Sequence, residues 1–146
     1  TSALCRRFVD RAKDALQNYP GLKHDWAIDT DKGHCTLDFP VDNPNGFGVK
    51  VDVSSDEVFV SLGGAHFHLE PEGTDEDVDV CISIILDLLG SGMRVREKRA
   101  GGRPYSWTIE KREGDCWQRQ EVVGLLFFNY FGRRSEQIYQ NTLLVR

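Results

Sequence analysis

A single α+β domain spanning residues 1–146 is predicted by three features of the sequence. Apolar residues recur at steps of three and four near the start and again before Gly90. Elsewhere they alternate with polar ones at the period of a strand, and no linker or internal repeat divides the chain. Taken in chain order, these periods describe an N-terminal helix, a four-stranded antiparallel meander and a buried second helix. About three further antiparallel strands and a short terminal element then follow.

The first helix is read over residues 3–19, where Leu4, Phe8, Ala12, Ala15, Leu16 and Tyr19 make one stripe. Pro20-Gly21 ends it, because proline cannot continue the hydrogen-bonding pattern. Trp26 and Ile28 open the meander, and Asp31-Lys32-Gly33 suits a hairpin turn into Cys35, Leu37 and Phe39. After the Asp42–Gly46 loop, Phe47, Val49, Val51 and Val53 share a face, followed by Val58, Val60 and Leu62. At Gly63-Gly64 the apolar parity moves to Ala65, Phe67 and Leu69, which is expected to mark a bulge or bend.

Thr74-x-x-Asp77 resembles a capping box, with Asp75 and Glu76 placed against the helix dipole. Beyond it only Asp79, Ser83 and Asp87 interrupt an apolar run to Leu89, so this helix is expected to be buried on most sides. Met93 and Val95 begin a strand, and Tyr105, Trp107 and Ile109 lie on the apolar face of another. Glu113-Gly114-Asp115 reads as a turn into Cys116–Val122, and the run to Phe128 suits a strand buried on both faces. Ser135 could cap a helix through Leu144, with a strand as the alternative.

Charge is divided along the chain. Residues 24–80 hold 14 acidic residues against Lys32 and Lys50, a net of −12, whereas residues 93–146 carry a net of +5. Such a field selects partners rather than folds. The acidic half disfavours nucleic acid and favours a basic protein, and Asp25, Asp29, Asp38 and Asp52 fall on the polar side of their strands. Arg94, Arg96, Lys98 and Arg99 interleave with Tyr105 and Trp107 as in single-strand binders, but those rings read as core. Phe127, Phe128, Tyr130 and Phe131, beside Arg133-Arg134, are either core or an aromatic patch awaiting a partner, with Phe127 and Phe131 the interface candidates.

Several chemistries lack their residues. Cys5, Cys35, Cys81 and Cys116 form no C-x-x-C pair, so no zinc knuckle or thioredoxin-type motif is present and a reducing, cytoplasmic setting is expected. His66-x-His68 with Glu70 places three ligand types on one strand face, yet no second cluster completes a site, and no metal or cofactor is expected. Neither a phosphate-binding loop nor a nucleophile elbow occurs. No apolar stretch approaches the ~18 residues of a membrane span. No signal peptide is read at the start, and a chain beginning at Thr1 leaves room for an upstream segment.

The expected role is a non-catalytic, cytoplasmic protein-interaction module whose acidic strand face meets a basic partner, as in small toxin-neutralising immunity proteins. The alternatives are a secretion-chaperone-like binder of an extended segment, or a ligand-binding protein or enzyme. The latter would have a pocket between the second helix and the sheet, lined by His66, His68 and Glu70. An edge strand also offers a route to a homodimer.

Overall fold

Helix α1 (Ala3–Leu16) forms around one buried stripe of Leu4, Cys5, Phe8, Ala12 and Leu16. Its end tightens, with the amides of Asn18 and Tyr19 bonding to carbonyls three residues back, before Pro20. The computed structural model of the chain describes residues 3–29, 31–41, 43–124 and 132–142.

Sheet A follows as β1 (Asp25–Asp29), β2 (His34–Phe39), β3 (Val49–Val53), β4 (Val58–Leu62) and β5 (Ala65–Leu69), antiparallel and in chain order. It has five strands rather than the expected four. Gly63-Gly64 is a hairpin turn, with Gly63 at φ 57°, and Leu62 pairs with Ala65. A two-residue turn sets partners three positions apart on one face, so apolar parity flips without any bulge. The inner face of β2, β3 and β4 is fully apolar, from Cys35, Leu37 and Phe39 to Val58, Val60 and Leu62, all buried.

Helix α2 (Asp75–Leu89) begins at Thr74, whose hydroxyl accepts the Asp77 amide at 3.2 Å, and stops at Gly90. Val78, Cys81, Ile82, Ile85, Leu88 and Leu89 are buried, while Val80 faces outward at 59% exposure. The polar stripe is partly used within the fold: Arg11 of α1 grips Asp79 and Arg7 reaches Asp75 at 3.1 Å. The two helices thus lie side by side, α1 against β2 and β3, α2 against β3 and sheet B, and among the described residues no element packs on the other face of sheet A.

Sheet B comprises β6 (Met93–Ala100), β7 (Arg103–Glu113), β8 (Cys116–Gly124) and β9 (Arg134–Tyr139), in the order β8-β7-β6-β9. The terminal element is therefore a strand. Met93, Val95, Trp107 and Ile109 join the core shared with sheet A. Val122 is 48% exposed, so the expected burial of β8 on both faces does not hold there. Phe127, Phe128, Tyr130 and Phe131 lie outside the described residues. Among the described residues, no helix is long and apolar enough to cross a membrane.

Candidate functional site

The uncovered face of sheet A is built by strand alternation: every side chain that does not point at the helices points here. Strand register arranges it in rows. Asp25, Asp38, Lys50, Ser61 and His66 follow one another across the sheet, as do Ala27, Thr36, Asp52, Phe59 and His68. Asp29 stands opposite His34 in a third row.

The β1–β2 side of this face is anionic. Asp25 lies directly across from Asp38, and both are exposed. Among the described residues none of Asp25, Asp29 and Asp38 belongs to an ion pair. Asp29 accepts the Lys32 amide at 3.2 Å, closing the turn to β2. Asp52, on the same polar side, is less open to solvent than Asp25 and Asp38. It is half-buried, accepts the Thr36 hydroxyl at 2.8 Å and has His34 Nε2 at 3.8 Å. Register explains the difference, because Thr36 is its cross-strand partner.

The β4–β5 side is aromatic. The Phe59 ring stacks on His66 at 5.0 Å between centroids and meets His68 edge-on at 4.7 Å. His68 Nδ1 lies 3.1 Å from Glu57 Oε2, while Glu70 lies beyond the end of β5. Among the described residues, no three potential metal-ligating side chains come together. A cleft of about 190 Å³ does exist beside α2, lined by Phe67, Leu69, Ile84, Met93 and Ile109 among others. His66 and His68 alternate with Phe67 and Leu69 along β5 and so sit on the opposite face from that cleft.

The arginines of the basic segment are engaged within sheet B. Arg94 bonds Glu110 at 2.8 Å and lies over the Trp117 ring at 4.1 Å. Arg96 holds Glu136 at 2.7 Å, a bond that raises its guanidinium above the ordinary arginine value. Arg94 and Arg96 therefore face neighbours inside the sheet.

Glu97 is the residue that sequence reasoning passed over. It is buried, accepts Trp107 Nε1–H at 3.0 Å and Arg99 Nε at 2.6 Å, and Arg99 in turn donates to the Tyr139 hydroxyl at 3.0 Å. A signal was present: Glu97 shares the parity of Met93 and Val95, the apolar side of β6. Burial also acts on one thiol: desolvation first and the neighbouring Cys5 second push Cys35 well above its ordinary value. No protein-family model, curated protein or solved structure matches this chain.

Proposed function

We propose that the chain is a non-catalytic binding module that presents the open face of sheet A to a basic protein. One observation carries this reading. The helices pack on one side of sheet A; on the other, Asp25 faces Asp38 with Lys50 next in the row, Asp29 stands at the far end of β1, and none of the three aspartates has an ion-pair partner among the described residues. Unpaired acids on a broad sheet give long-range attraction to a cationic surface, which raises association rate more than final affinity. The cysteine spacing supports the cytoplasmic setting of this module.

The test pairs capture with kinetics. Proteins retained from native lysate by the wild-type chain at low salt should be lost with the double variant Asp25→Lys/Asp38→Lys. With the captured partner immobilised, the association rate should fall on charge reversal and on raising salt, which screens over about 8–10 Å. A rate indifferent to both would reject the acidic face.

The cleft beside β5 favours a second reading. β5 is an edge strand, and its inward residues Phe67 and Leu69 line that cleft. An extended segment added to β5 could seat an apolar side chain there, as in strand-addition complexes. Loss of capture on Ile84→Asp, with retention on charge reversal, would select this reading.

A further inference from the structure

A second cleft, of about 280 Å³, lies where the β4–β5 turn of sheet A meets β6, β7 and β9 of sheet B. Phe47, Leu62, Val95, Trp107 and Tyr139 supply its apolar walls, and Glu97 supplies a carboxylate, the one carboxylate among its described lining residues. We infer that this cleft binds a small, neutral, mainly apolar molecule that donates one hydrogen bond to Glu97. The inference concerns a site separate from the open face of sheet A and does not depend on it.

Size argues first. An apolar cavity of about 150 Å³ is already enough to take benzene. The space here is larger, and apolar walls with one or two polar groups are the usual make-up of a ligand site.

Chemistry narrows the class. Each oxygen of Glu97 takes one bond, from Arg99 and from Trp107, and a carboxylate has about four acceptor positions, so half remain for a donor. The Arg99 guanidinium already balances the carboxylate, so the site carries no net charge to repay the desolvation of a cationic ligand, whereas a neutral N–H or O–H can still be accepted. The acceptor is also held in place. Trp107 fixes one oxygen, and its ring is in turn backed by Gly64, where an added Cβ would lie 2.8 Å from the indole. A polar group fixed in advance costs little to orient on binding.

Indole and 1-methylindole are matched probes, close in shape and differing in the N–H donor. In a ¹H–¹⁵N titration of the full chain, indole should shift the Trp107 Nε1–H and the Gly63 and Gly64 amides saturably. 1-Methylindole should bind at least about tenfold more weakly, the loss expected of one hydrogen bond to a charged acceptor. Glu97→Gln, checked for folding by its spectrum, should narrow that difference. Absence of shifts at these positions, shifts confined to other surfaces, or equal affinity for the two probes would overturn the inference.

Discussion

The side-chain amide of Asn141 pairs with the backbone of Phe47 as a strand residue would. Its Oδ1 accepts the Phe47 amide at 2.9 Å and its Nδ2 donates to the Phe47 carbonyl at 2.9 Å. Nδ2 also reaches the Leu88 carbonyl at 3.2 Å, so one buried residue joins the approach to β3, the end of α2 and the segment after β9. Asn141→Ala leaves three buried backbone groups without these partners and should cost about 2–4 kcal/mol in chemical denaturation. Asn141→Asp should be worse, because a carboxylate oxygen would then confront two carbonyls. A wild-type midpoint for Asn141→Ala would show that the bonds are replaced by water.

Asp25 and Asp38 form a like-charge pair across β1 and β2, an arrangement that opposes folding. Asp25→Lys replaces it with an opposite-charge pair and should raise stability by roughly 0.2–1 kcal/mol at low salt. The gain should shrink in high salt. If the acidic face is a binding surface, the same variant should associate more slowly with the partner, so stability and binding move in opposite directions. A variant both more stable and equally fast in binding would mean that these acids serve only solubility.

Arg11 lowers the Asp79 carboxyl below the ordinary aspartate value, chiefly through its hydrogen bond. A carboxylate depressed in the folded state stabilises above its unfolded value of about 4 and loses that contribution as pH falls through the folded value. Wild type should therefore exceed Asp79→Asn in stability at neutral pH, with the gap closing below about pH 4. Urea melts of both chains at neutral and acid pH measure this. Exposure of both partners keeps the effect small.

The layout was legible because hydrophobic period maps directly onto helix stripe and strand face. Leu4, Phe8, Ala12 and Leu16 all turned inward, as did Val49, Val51 and Val53. The extra strand escaped because a parity change at two glycines fits a bulge as well as a turn. What separates them is whether Leu62 and Ala65 are paired, and pairing is a tertiary fact. The four aspartates were correctly assigned to the polar side of their strands. Their different surroundings were not legible, since the Thr36–Asp52 bond depends on the register of β2 against β3. Glu97 was hidden among basic neighbours, although its parity with Met93 and Val95 placed it inward.

The short strand β1 begins and ends in aspartate and forms one border of sheet A. Were two copies to meet there in antiparallel fashion about Ala27, each Asp25 would confront the other copy's Asp29, while Trp26 would meet Ile28. The apolar pairing would invite accretion, and the flanking carboxylates oppose it. This border is thus guarded by electrostatic gatekeepers against uncontrolled growth of the sheet. Neutralising Asp25 and Asp29 together would remove that guard, with colloidal stability rather than folding as the property lost.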